Sequence, residues 1–305
     1  MNPSTFSPPQ FADLLARALT EPGIVSTAYS AFHGYSLGNQ ILALVQCAER
    51  GIPPGPIATF VGWKDKGRYV RRGEKAIVLC MPITAKRKAK DDQPVNDGSD
   101  DGKPETFTRF IYRPNWFVLA QTDGQDVEPL TIPDWDQARA LDTLGIVEEV
   151  FTGMDGNCQG YARQRSIAVS PVAELPDKTR FHELAHVVLG HTAEAEAGLS
   201  DSDMTPRSLR EVEAEAVALV CLEALGLPGV DHSRGYLQYW NERRGAEPIP
   251  ERSAQRVFKA ADQILKAGVE PTAEARGVAN STGAAYDSPI NSTNSYSLTN
   301  CKVII

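Results

Sequence analysis

Two histidines four residues apart, in the apolar run Phe181-His182-Glu183-Leu184-Ala185-His186-Val187-Val188, constrain this chain more than any other feature. On a helix such residues share a face, so His182 and His186 can offer two imidazole nitrogens to a single metal ion. Glu183, one residue along, reaches a water held at the open coordination position and can take its proton. Phe181, Leu184, Val187 and Val188 pack the same helix against a core, and the pattern predicts that it runs from Pro176 to Gly190. Tetrahedral zinc still needs a third protein ligand. A second predicted helix, Ser208 to Gly226, carries Glu211 and Glu215 on one face, and its small residues Ala214, Ala216 and Ala218 allow close approach to the first. Glu211 is the favoured zinc ligand, with Glu215 accepting the free N–H of a ligating histidine; the reverse assignment stays open.

Other readings of the motif are weaker. His182 and His186 could simply sit on a helix face satisfied by carboxylates. Against that stand the apolar setting, the carboxylate-bearing helix downstream, and a short predicted strand, Ser166 to Ser170, placed where zinc peptidases keep the edge strand that binds extended peptides. His191 imitates a third histidine ligand, but the longer motif of that kind needs glycine at 189 and histidine at 192. The chain has Leu189 and Thr192, so His191 is read as a polar cap at the helix end. Glu213 is expected to point away toward solvent. Glu183 is then the catalytic base of a single-zinc hydrolase. Tyr161, Tyr236, Tyr239 and His232 are candidates, by residue type alone, for stabilising charge on the attacked carbonyl.

The totals exclude several classes. At 305 residues and 42% apolar composition the chain can build two ordinary cores. It has no apolar run of about 18 residues, which excludes a membrane-spanning helix. Met1-Asn2-Pro3-Ser4-Thr5 lacks the basic and apolar regions of a secretory signal. Cys47, Cys80, Cys158, Cys221 and Cys301 are odd in number, scattered and without a C-x-x-C pair, which speaks for a reducing, cytoplasmic setting. Charge is uneven. Residues 1–90 hold 12 Lys/Arg against 5 Asp/Glu, a balance of +7, while the remainder holds 19 against 34, a balance of −15. That asymmetry points to an anionic partner for the N-terminal part.

Helical spacing predicts helices from Pro9 to about Thr20 and from Ser36 to Arg50, before Pro53-Pro54-Gly55-Pro56 breaks the chain. Extended stretches are expected over Ala58–Trp63, Ala76–Pro82 and Thr106–Val118, with a solvated loop over 85–105. Residues 121–135 read as a linker. The second domain is expected to open with a helix from Ala138 to Phe151, and a last helix covers Ser253 to Lys266. The predicted organisation is a first domain over 1–120, the linker, a second domain over 136–268, and a disordered tail over 269–305.

The stretch from Trp63 to Lys75 mixes six positive charges with two aromatic residues. Lys64, Lys66, Arg68, Arg71, Arg72 and Lys75 suit phosphates, and Trp63 and Tyr69 suit unstacked bases, which is the mixture that holds single-stranded nucleic acid. An exposed hairpin with solvated charges and a core tryptophan is an equal reading on composition. Gly62-Trp63, Gly67 through Ile77 and Pro82, preceded by Tyr35-Ser36-Leu37-Gly38-Asn39, resemble the signature of the ArdC-type antirestriction N-terminal domain. In the same family a His-Glu-Leu-Ala-His helix and a Glu-x-x-Ala-Glu helix follow, and His182–His186 and Glu211–Glu215 are similar. The resemblance implies an α+β protein: a small mixed domain that binds single-stranded DNA, then a zincin-like metallopeptidase domain acting on an unknown protein substrate. It also implies carriage on plasmids or other mobile elements, where entering DNA is shielded from restriction. The alternative is a DNA-binding protective protein whose metal site is structural and not catalytic; an intact Glu183 speaks against it.

Overall fold

The computed structural model describes residues 9–86, 106–129, 131–132, 134–153, 157–196, 205–243 and 249–270. The architecture is α+β. Three helices come first: α1 (Phe11–Thr20), α2 (Ile24–Phe32) and α3 (Leu37–Arg50). Next are β1 (Ile57–Thr59), α4 (Phe60–Asp65), β2 (Arg68–Val70), β3 (Ile77–Lys86), β4 (Thr106–Val118), a 3-10 turn and β5 (Thr122–Gly124). Then follow α5 (Gln137–Leu144), β6 (Val147–Glu148), β7 (Gly160–Arg163), β8 (Ser166–Val169) and α6 (Pro176–Val188). The last helices are α7 (His191–Glu196), α8 (Arg207–Leu225), α9 (Val230–Arg243) and α10 (Glu251–Ala267). Among the described residues no helix is long and apolar enough to cross a membrane.

The chain folds as two compact units, and their boundary differs from the one the sequence suggests. One unit spans Val45–Glu128; the other joins Pro9–Leu44 to the chain from Pro129 onward. These compact units divide the chain differently from the expected 1–120 domain at both ends. At its start, α1 and α2 carry apolar faces (Leu14, Leu15 and Ala18; Val25, Ala28 and Phe32) that bury on α10 and α8. Polar contacts fix them there: Glu223 accepts from the Val25 N–H at 3.1 Å, and Arg234 donates to the Leu19 carbonyl and to Glu223. At its end, the expected linker begins as structure, because β5 pairs antiparallel with β2, Thr122 opposite Val70.

In the Val45–Glu128 unit, β4 lies between β1 and β3, antiparallel to both. The register slips between Ile77 and Val78, and the side-chain amide of Gln46 meets the irregularity. It donates to the Val78 carbonyl at 2.8 Å and accepts from the Val78 N–H at 2.9 Å, so neither backbone group is buried unpaired. The expected strand over Ala58–Trp63 is interrupted: Thr59 caps a helix by accepting from the Gly62 N–H at 3.1 Å, and α4 begins at Phe60. The solvated loop expected over 85–105 lies, from residue 87 on, outside the described residues, and the tail expected from 269 does so from residue 271.

The other unit is built around α8, which is buried without interruption from Val212 to Glu223. A helix buried all round belongs at the centre of a core, and α6, α9, α10 and α2 pack against this one. A small sheet, ordered β6-β8-β7, lies against α6. The expected helix over Ala138–Phe151 is shorter: Gly145 takes a left-handed conformation (φ 60°) that stops α5, and β6 follows.

Candidate metal centre

α6 opens with Pro176 in its first turn, where a missing N–H costs nothing, and buries the face that carries its polar residues. His182 and Glu183 are only 5% and 6% exposed. The His182 and His186 Nε2 atoms lie 3.2 Å apart. Glu211, on α8, brings Oε2 to 3.5 Å from the first and 3.7 Å from the second. Two ligand atoms at tetrahedral angles around an ion with bonds of about 2.0–2.1 Å sit roughly 3.3 Å apart. The triangle of 3.2, 3.5 and 3.7 Å is close to that spacing, so these three side chains fit a small divalent cation.

Each imidazole is held from behind. Glu215 Oε2 lies 3.0 Å from His182 Nδ1, and its other oxygen is 3.0 Å from Lys178 Nζ. Glu215 is thus on the far side of the ring from Glu211, which gives the two carboxylates different surroundings. Behind His186 stand two residues whose sequence reading is corrected. His191 is no cap: its Nδ1 lies 3.0 Å from His186 Nδ1. Glu213 does not face solvent. It is fully buried, with Oε2 2.9 Å from His191 Nε2. The signal missed was tertiary: Gly190 turns the chain with φ 81°, bringing His191 back onto α6, and α10 supplies Arg256 within 3.5 Å of Glu213.

Electrostatics follow from burial and pairing. Burial disfavours charge on His182, but hydrogen bonds with Glu211 and Glu215 overcome it and raise the imidazole to about 10. Burial lowers His186 to about 4 against the pull of the nearby Glu211 carboxylate, leaving it neutral with a lone pair on offer. Glu211 is held well below the ordinary carboxylate value: burial opposes this, and the adjacent His182 and His186 imidazoles prevail. Glu183 moves the other way, pushed up to about 7 by burial in spite of the nearby His182. Its carboxyl is therefore poised to gain and lose a proton near neutrality.

The strand beside Glu183 is β7. A Cβ added at Gly160 would stand 3.2 Å from Glu183 Cγ and 2.6 Å from Thr179 Cγ2, so only glycine allows this approach. β8, the strand picked out in the sequence, is central in its sheet, and β7 forms an edge. Of the candidate stabilisers, Tyr236 stands close enough to Glu211 and Glu215 that, after burial, their charges raise its phenol. Tyr161 turns its hydroxyl to Thr152, 3.2 Å away, and Tyr239 is 52% exposed.

In the Val45–Glu128 unit the eight residues chosen for DNA contact separate. Trp63 is corrected: it is 1% exposed, and its indole N–H donates to the Phe117 carbonyl at 2.7 Å, so neither face nor edge is free for a base. Arg68 turns inward, donating to Thr122 Oγ1 at 2.8 Å and to the Thr122 carbonyl at 2.9 Å. Arg71 bonds to Glu74 at 2.8 Å and lies 3.5 Å from Asp123. Lys64, Lys66, Tyr69, Arg72 and Lys75 are exposed. Phe60, Val61 and Phe110 are exposed apolar residues the sequence reading had not singled out, at 55%, 63% and 66%.

The family described as the N-terminal domain of anti-restriction factor ArdC matches residues 17–114. Two crystal structures of the antirestriction protein ArdC from plasmid R388 are similar in fold. The metal-free one is 19% identical with a TM-score of 0.48 and covers 85% of this chain and 94% of that one. The Mn(II)-bound one is 20% identical with a TM-score of 0.49 and covers 85% and 96%. No curated protein matches the chain. Over residues 17–114 the chain is thus similar to the N-terminal domain of anti-restriction factor ArdC.

Proposed function

We propose that this is an antirestriction protein in which a domain binding single-stranded DNA is joined to a zincin-like zinc peptidase. The observation that carries the second half is the convergence of His182 Nε2, His186 Nε2 and Glu211 Oε2 within 4.8 Å of one another, beside a buried Glu183. Two imidazoles and one carboxylate form a donor set suited to zinc. The ion, when bound, supplies Lewis acidity and brings a water within reach of deprotonation near pH 7. Glu183 would accept a proton from the attacking water and could pass it to the leaving amine of a peptide. Its buried carboxyl, pushed up to about 7, can do both. His182 and His186 keep their Nε2 atoms directed inward because Glu215 and His191 occupy their Nδ1 sides. Tyr236 is the side chain best situated to donate to a carbonyl oxygen that gains charge. As the edge strand of its sheet beside Glu183, β7 is where an extended peptide would pair.

DNA binding is supported by the family match over 17–114 and by the +7 balance of residues 1–90. It is assigned to the exposed set Lys64, Lys66, Tyr69, Arg72 and Lys75. Shielding of incoming DNA in a host cytoplasm is the role that the similarity over 17–114 supports. The decisive experiment pairs metal analysis with hydrolysis. Wild-type protein should carry one zinc per chain and not manganese, and should cleave unfolded casein. Glu183→Gln should keep the zinc and lose cleavage, because an amide cannot accept the water's proton. Loss of the zinc in that variant would show that Glu183 has been given the wrong task.

A further inference from the structure

We propose that His191 is a positioning residue for the metal site: it fixes His186 in the tautomer that presents Nε2, and is itself fixed by Glu213 and Arg256. The inference rests on the metal-binding reading above. A neutral imidazole that gives its Nε2 lone pair to a cation must carry its hydrogen on Nδ1. His186 Nδ1 has one close partner among the described residues, His191 Nδ1 at 3.0 Å. His191 must then accept there, so its own hydrogen sits on Nε2. That atom lies 2.9 Å from Glu213 Oε2, which accepts. Arg256 stands 3.5 Å from the same carboxylate oxygen and is anchored by donating to the Leu189 carbonyl at 2.8 Å, at the end of α6. The polarity of the whole chain, from His186 through His191 to Glu213, follows from the first step.

Helix geometry gives the reason for an intermediate imidazole. Glu211 and Glu215 are four residues apart and face the site together, so Glu215 reaches His182 directly. Glu213 lies between them in sequence, about 200° around the helix from each. Its carboxylate cannot face His186 from that side, and the ring of His191 spans the distance. Both ligating histidines therefore end on a carboxylate of α8, one directly and one through a second imidazole. Partners of this kind raise a ligand's basicity and lock its ring.

Full-length protein and zinc itself are the test, by competition against a chelator of known affinity. His191→Leu should weaken zinc binding by ~10–100-fold. His191→Gln, which can still accept at one end and donate at the other, should recover most of that loss. An affinity for His191→Leu within about twofold of wild type overturns the proposal. So does a loss confined to the melting temperature of the zinc-free protein, which a merely structural role would give. Should the leucine variant fail to fold, tautomers read from long-range ¹H–¹⁵N spectra of zinc-loaded wild-type protein decide, and with five histidines in the chain they can be assigned. His186 carrying Nδ1–H and His191 carrying only Nε2–H supports the relay. His191 protonated on Nδ1 overturns it. Wild-type protein that binds no zinc overturns the metal reading together with the relay, whereas unchanged affinity in the variants removes the relay alone.

Discussion

At the scale of single residues, the cluster of His182, His186 and Glu211 was legible because its determinants are periodic. A spacing of four on one helix and a carboxylate pair with the same spacing on another survive translation from sequence to structure. Glu213 and His191 were illegible because their pairing depends on the turn at Gly190 and on where α10 arrives. Trp63 was ambiguous for a related reason: a tryptophan among cations serves a base or a core equally well until its N–H finds a partner. With Phe117 as that partner, Trp63→Ala should cost about 3–5 kcal/mol of stability, measured by denaturant unfolding, as truncation of a fully buried indole does. A variant as stable as wild type that has lost only DNA affinity would return Trp63 to the binding surface. Asp262 offers a test by pH. Burial raises its carboxyl above the ordinary value of 3.8, although Lys266 and the Leu37 N–H pull the other way. A raised folded value means that the folded state holds the proton more tightly. The stability this contributes is present below pH 3.8 and is lost as pH rises through the folded value. Asp262→Asn mimics the protonated form, so its melting temperature relative to wild type should improve from pH 4 to pH 7. A relative gain by wild type over that window would contradict the burial argument.

At the scale of elements, the failures of sequence reading fall where a local cap or stop overrides periodicity. Thr59 starts α4 inside an apparent strand, and Gly145 ends α5 inside an apparent helix. The strand nearest Glu183 was misread for a topological reason: alternation shows that Ser166–Val169 is a strand, but only pairing shows that β7 forms the sheet's edge. Gly160 is where strand and helix meet, and Gly160→Ala tests the contact. The added methyl would fall 2.6 Å from Thr179 Cγ2 and 3.0 Å from the Ala168 carbonyl, so β7 must shift away from α6. Stability should fall by about 1–3 kcal/mol, the cost of overpacking. Zinc affinity should hold, because the ligands stand on α6 and α8, while cleavage of casein should drop. Unchanged cleavage would detach β7 from the proposed peptide site.

At the scale of the molecule, the question is which helices belong to which unit. Sequence order suggests that α1 and α2 open a DNA-binding domain. Burial assigns them to the other unit, where Leu14, Leu15, Ala18, Val25, Ala28 and Phe32 pack with α8 and α10. A fragment of residues 1–120 would keep these apolar faces without their partners, and would also cut away β5, the strand paired with β2. A fragment of residues 45–128 keeps the β1-β4-β3 sheet, the β2–β5 pair and Gln46 at the Val78 irregularity. The shorter fragment should therefore melt cooperatively, while the 1–120 fragment should bind a hydrophobic dye and unfold without a sharp transition. The same fragment carries the proposed DNA surface, so 45–128 should bind oligothymidine with an affinity that falls steeply as salt rises. Lys64→Ala, Arg72→Ala and Lys75→Ala together should flatten that slope by up to roughly three phosphate equivalents. Arg68→Ala should act mainly on folding, since its guanidinium is spent on Thr122. Should 1–120 fold sharply and 45–128 not, the helices belong to the DNA-binding part after all, and the division of the chain drawn from burial must be redrawn.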